Sequence, residues 1–92
     1  MRLVDSHCHL QAERFAADAE LVLGGARLAG VERILVPGWN LRSSLDALAL
    51  ADRLPGLDAA VGIHPHDAAG ADDATWRQIE RLAGTAARVV AV

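Results

Sequence analysis

The sequence predicts an α/β chain built on a parallel sheet, and three observations carry that prediction. Short apolar segments recur near residues 4, 34, 61 and 90, a spacing of about thirty residues, which is the length of one strand–helix unit. The segments between them have helical periodicity, and parallel strands need crossovers of that size where hairpins do not. The short segments are apolar almost throughout, as expected of strands covered on both faces. An open doubly wound sheet and part of a (β/α)8 barrel both fit this pattern. A small stand-alone α/β domain also fits the length of 92 residues.

Arg2-Leu3-Val4-Asp5 reads as the first strand. A helix is expected from Phe15 to about Ala29, with Leu21, Val22, Leu23 and Leu28 as its apolar side. Gly24 and Gly25 weaken it by roughly 1 kcal/mol each relative to alanine. Gly30 can close it, because glycine accepts the left-handed backbone of a helix C-terminus. Arg33 to Val36 is the second strand, ended by Pro37-Gly38. The second helix is expected to start near Ser43 or Ser44, whose hydroxyls can accept a first-turn N–H. Leu41, Leu45 and Leu48 form one side of it, Arg42 and Asp46 the other, and Leu54-Pro55-Gly56 stops it. Leu57 to Ile63 is the third strand. Asp72 or Asp73 caps a third helix with the apolar face Trp76, Ile79, Leu82 and Ala83, ending at Gly84. Arg88 to Val92 is the fourth strand.

Composition narrows the function. The charge is −3, with nine basic residues, all arginine, which opposes a broad basic surface for nucleic acid. Three aromatic residues (two Trp, one Phe) make an extended base-stacking platform unexpected. A single cysteine excludes an internal disulfide framework and a four-cysteine zinc site. No signal sequence is expected at the start, because Asp5, His7 and His9 interrupt it, and no apolar run reaches about 20 residues. The expectation is a soluble, cytoplasmic chain without membrane partners.

The chemistry gathers at strand ends. In Asp5-Ser6-His7-Cys8-His9, alternation of side chains puts His7 and His9 on one side and Cys8 on the other. Two neutral imidazoles on one face can chelate a cation, and imidazole suits Zn, Mn, Fe or Ni better than Mg. Cys8 is expected as a small buried residue. Gly62-Ile63-His64-Pro65-His66 repeats the theme after strand three, where Pro65 must end the strand. All four histidines thus fall in two loops at one mouth of the sheet. His64 is expected to have a functional role, and His66 to be a solvated loop residue. Asp67, Asp72 and Asp73 are explained by a helix cap and a solvated loop. Trp39 is expected to pack over a helix end and Trp76 in the core.

Asp5-Ser6-His7-Cys8-His9-Leu10 followed by Val61-Gly62-Ile63-His64-Pro65-His66 resembles the TatD family of metal-dependent deoxyribonucleases. The resemblance extends over the whole chain, including Gly30-Val31 before strand two. It implies a TIM-type (β/α)8 barrel of the metal-dependent hydrolase superfamily that cleaves phosphodiester bonds of DNA with metal-activated water. It implies divalent metal (Mg2+, Mn2+ or Zn2+), two ions in the complete protein. His7 and His9 match the family's metal-binding pair, and His64 matches a catalytic histidine lining the active site near the substrate phosphate. Nothing carries over to His66.

The resemblance also implies a departure. Such barrels have ~250 residues, and the family's Gly-Glu-x-Gly-Leu-Asp element, whose Glu bridges the metals, would follow Val92. Residues 1–92 are therefore expected to form a partial TatD-like hydrolase domain, about βαβαβαβ, inactive alone. Another hydrolase of the superfamily acting on a different phosphoester, amide or ester is the alternative chemistry, and a non-catalytic truncated product the alternative class. Open first and fourth strands would also allow self-association through their edges.

Overall fold

A computed structural model describes residues 1–92. The elements are β1 (Leu3–Asp5), a 3₁₀ turn (Glu13–Phe15), α1 (Ala19–Leu28), β2 (Val31–Pro37), α2 (Leu41–Arg53), β3 (Leu57–Ala60), a second 3₁₀ segment (Pro65–Gly70), α3 (Asp73–Thr85) and β4 (Val89–Ala91). The four strands form one parallel sheet in the order β1-β2-β3-β4.

That order separates the architectures left open by the sequence. A doubly wound sheet reverses its strand order at a switch point; here every strand pairs with its successor. Right-handed crossovers in a sequential order put all helices on one face, as in one arc of a barrel. The arc is not closed. Within residues 1–92 the helices cover one face of the sheet. Ile34 and Val36 on β2, Leu57 and Ala59 on β3, and Val61 just beyond are buried toward the helices. The register pairs Ile34 with Leu57, Leu35 with Asp58 and Val36 with Ala59. The opposite face therefore carries Arg33, Leu35, Asp58 and Ala60. There Arg33 holds Asp58 through both guanidinium positions, Nε–Oδ2 at 3.0 Å and Nη2–Oδ1 at 2.7 Å.

The helices supply the rest of the core: Ala19 and Leu23 from α1, Ala47, Leu48, Leu50 and Ala51 from α2, and Ile79 from α3, joined by Leu10 and Leu54. Helix α1 starts later than its periodicity suggests. Ala16 and Asp18 donate three residues back, to Glu13 and Phe15, so a 3₁₀ turn packs Phe15 on the core before the helix begins. Only Leu23 of the expected apolar stripe is buried; Leu21 and Leu28 are exposed, and no element covers their face. Gly30 ends α1 at φ +102°, and a Cβ there would overlap the Met1 carbonyl.

Helix α2 begins at Leu41, ahead of the expected start. Asn40 is the cap, its Oδ1 accepting the Ser43 N–H at 2.8 Å while Ser43 Oγ accepts the Asn40 N–H at 3.0 Å. Leu45 is exposed, not part of the packed side. Strand β3 is shorter than expected, because Gly62 leaves the ladder and bonds Ser44 Oγ instead, N–H to Oγ at 3.2 Å. Asp72, not Asp73, caps α3, and the helix runs through Gly84 to Thr85. Trp76 is 45% exposed, a correction of its expected core position. Ile79, Leu82 and Ala83 make the contact with the core.

Candidate functional site

Three connections after strands converge at the C-terminal end of the sheet. Past β1 the chain bends at Ser6 and stays tied to β2, with Cys8 N–H donating to the Leu35 carbonyl at 3.1 Å. Asp5 Oδ1 accepts the His7 N–H at 3.0 Å and shapes the turn. Cys8 packs against the core, where burial and then the Asp5 charge push its thiol up, so it stays protonated. His7 and His9 project to the other side, as the alternation requires.

Their Nε2 atoms lie 3.2 Å apart. His9 Nδ1 lies 2.9 Å from the Pro37 carbonyl, and an acceptor there makes Nδ1 the protonated nitrogen. The His9 Nε2 lone pair is then free, and His7 donates its Nε2–H to it. Gln11 Nε2 donates to the same carbonyl at 2.8 Å. Pro37 thus anchors His9 in the way that backbone carbonyls orient metal-binding histidines.

The pair fits a divalent ion. Two nitrogens bound at ~2.0–2.1 Å with a tetrahedral angle are about 3.3 Å apart, close to the separation here. A bound ion would be held by the Nε2 atoms of both, His7 then carrying its proton on Nδ1. The pair supplies two donors, and no group of three or more His, Cys, Asp or Glu is placed to hold a metal.

The second histidine motif faces the first. His64 N–H donates to the Trp39 carbonyl at 2.8 Å, tying the loop after β3 to the loop after β2. Ser44, fully buried, braces the same junction through Gly62. His64 Nδ1 accepts the His66 N–H at 3.1 Å, which leaves the proton of neutral His64 on Nε2. The His64 and His66 rings meet edge to face with centroids 4.5 Å apart. Both are exposed, as expected for His66.

His9, Ala12, Arg14, Trp39, His64, His66 and Asp67 line one open cleft of 470 Å³. The structure thus brings His9 and His64 to one cleft, with His7 beside His9. Trp39 does not merely cover a helix end: its ring meets His9 edge to face at 5.1 Å. Sequence reasoning missed Arg14, Gln11 and the Pro37 carbonyl. Their positions follow from the 3₁₀ turn and from the pairing of β1 with β2, neither of which leaves a pattern in hydrophobic periodicity.

The family described as TatD related DNase matches residues 4–92. The chain belongs to the TatD family. TatD relatives include the uncharacterized metal-dependent hydrolase YjjV of Escherichia coli K12, 37% identical over 99% of this chain and 36% of its own length. Another is the 3'-5' ssDNA/RNA exonuclease TatD of Pectobacterium atrosepticum, 36% identical over 91% of this chain and 33% of its own length. The crystal structure of YjjV, a TatD homologue, superposes with a TM-score of 0.89 over 99% of this chain. The chain spans about a third of the length of these TatD relatives, and its sheet has the fold of the corresponding arc of the TatD structure. No helix is long and apolar enough to cross a membrane.

Proposed function

We propose that residues 1–92 form the first part of a TatD-type hydrolase domain that cleaves phosphodiester bonds of nucleic acid, DNA foremost. In this reading His7 and His9 hold a divalent ion (Mg2+, Mn2+ or Zn2+) and His64 engages the scissile phosphate. The observation that carries it is the His7–His9 pair, with Nε2 atoms 3.2 Å apart and His9 fixed by Pro37. The names of the relatives, a metal-dependent hydrolase and an ssDNA/RNA exonuclease, support the class.

The residues divide the work. A bound divalent ion supplies positive charge toward a phosphoryl oxygen and lowers the pKa of water. His9 presents its Nε2 lone pair because Pro37 holds its other nitrogen. His64 offers its Nε2–H as a donor to a phosphate oxygen, since the His66 amide occupies Nδ1. Two imidazoles leave most coordination positions to water, so the 92-residue chain by itself binds metal weakly and does not turn over.

A chimera tests this reading: residues 1–92 replace the matching third of the YjjV hydrolase. Metal-dependent cleavage of single-stranded DNA, lost in His7→Ala and His64→Ala versions that remain folded by circular dichroism, is the expected result. A folded chimera that hydrolyses only phosphomonoesters, carboxylic esters or amides favours another chemistry of the superfamily. Cleavage that survives His7→Ala overturns the assignment of the ion.

A second reading concerns assembly. Within residues 1–92 the outer edges of β1 and β4 have no partner strand, and Val4 and Val90 are 70% and 60% exposed. Unpaired edges beside apolar side chains favour pairing with a second copy. Sedimentation equilibrium of the chain should show a dimer or larger species; a folded monomer excludes it.

A further inference from the structure

We infer that Arg14 and Trp39 form a nucleotide subsite in the cleft beside His9 and His64, Trp39 taking a base and Arg14 a phosphate of a single strand. The inference depends on nucleic acid being the substrate, as proposed above. Two observations carry it. Arg14 pairs with no carboxylate: the ion pairs of the chain are Arg2–Glu32, Arg33–Asp58, Arg42–Asp46 and Arg53–Glu20. Its guanidinium lies over the Phe15 ring, 5.0 Å from the centroid, and it borders the cleft. Phe15 is itself packed on the core, so the cation is held at the rim by an anchored ring.

Trp39 is half-buried and is the only large aromatic side chain in that lining. Its contact with His9 fixes the indole next to the candidate metal ligand. A planar ring and an unpaired arginine on one cleft match the two parts of a nucleotide, a base that stacks and a phosphate that pairs. Asp67 is the one carboxylate of the lining. With the histidines neutral, the lining then carries one positive and one negative charge, so binding relies on stacking and one directed phosphate contact, not on a positive field. This agrees with a chain whose net charge is −3.

The test uses the whole chain in EDTA, so that metal binding plays no part. Trp76→Phe leaves Trp39 as the single tryptophan, and its fluorescence reports a titration with a short oligothymidylate. Quenching is expected with the oligonucleotide, and much less with an abasic strand of equal length or with inorganic phosphate. Binding followed by anisotropy of a labelled strand should weaken about tenfold in Trp39→Ala and about tenfold in Arg14→Ala. Trp39→Phe and Arg14→Lys should recover part of each loss. A single phosphate contact predicts a slope of log affinity on log salt of about −0.7, falling toward zero in Arg14→Ala. Equal binding of the abasic strand, or unchanged affinity in both alanine variants, overturns the subsite. A separate zinc titration of the unmodified chain and of Trp76→Phe, a substitution outside the cleft, should agree. Failure of that ion to bind either of them counts against the metal reading and leaves the subsite result standing.

Discussion

His9 Nδ1 lies 2.9 Å from the carbonyl oxygen of Pro37, across the junction of the first two strands. This contact sets the tautomer of His9 before any ligand arrives. The carbonyl also receives Gln11 Nε2–H at 2.8 Å, so both its lone pairs are engaged and the imidazole has little freedom to turn.

A tautomer assignment follows. In the metal-free chain with neutral imidazoles, His9 should carry its proton on Nδ1, and His7 and His64 on Nε2. Long-range proton–nitrogen correlation spectra of histidine-labelled protein distinguish these forms. A His9 found as the Nε2–H tautomer would mean that Pro37 does not orient it.

The brace between the loops gives a second outcome. Ser44 Oγ accepts from Gly62 N–H and donates to the Gly62 carbonyl at 3.3 Å, within the core. Ser44→Ala leaves that amide unpaired and should cost about 1–3 kcal/mol in urea unfolding. It should also broaden or shift the resonances of His64 and His66, which lie two and four residues beyond Gly62. No loss of stability would show that water replaces the hydroxyl at no cost.

The sequence made the strand–helix order and the two histidine loops legible, because each leaves a local pattern. Apolar runs ended by Pro37-Gly38 or Pro65 mark strands, and a His-x-His repeat keeps two rings on one side whatever the fold around it. Trp76 and Leu28 were misplaced for one shared reason. Periodicity shows which face of a helix is apolar, but not whether a neighbouring element covers that face. Asn40 was overlooked as a cap because two adjacent serines compete for the role, and only the reciprocal bonds with Ser43 decide between them. Arg14 and Gln11 belong to the site through a turn and a carbonyl, and neither has a sequence signature.

Helix α1 offers a test of local backbone cost. Gly24 lies within it, exposed, and an added Cβ would meet nothing within 4 Å. Gly24→Ala should therefore stabilise the chain by roughly 0.5–1 kcal/mol. A loss of stability would indicate that the exposed side of α1 is covered by another molecule.

The cap of α3 predicts a pH dependence. The Thr75 hydroxyl, then the Thr75 amide, hold the Asp72 carboxyl below its ordinary value of 3.8. A depressed value in the folded state stabilises the helix above the ordinary value, and the contribution is lost as pH falls through the depressed one. Helical circular dichroism should hold steady from neutral pH down to the ordinary value and drop below it. In Asp72→Ala that part of the acid-dependent drop should be absent; an unchanged profile would remove Asp72 as its source.

The proposed metal-binding site is the strand-end pair His7–His9. Calorimetric titration of the chain with Zn2+ tests it most directly. Weak binding of a single ion is expected, abolished in His7→Ala and in His9→Ala and retained in His66→Ala. No binding to the unmodified chain, or binding that survives both substitutions, would contradict it.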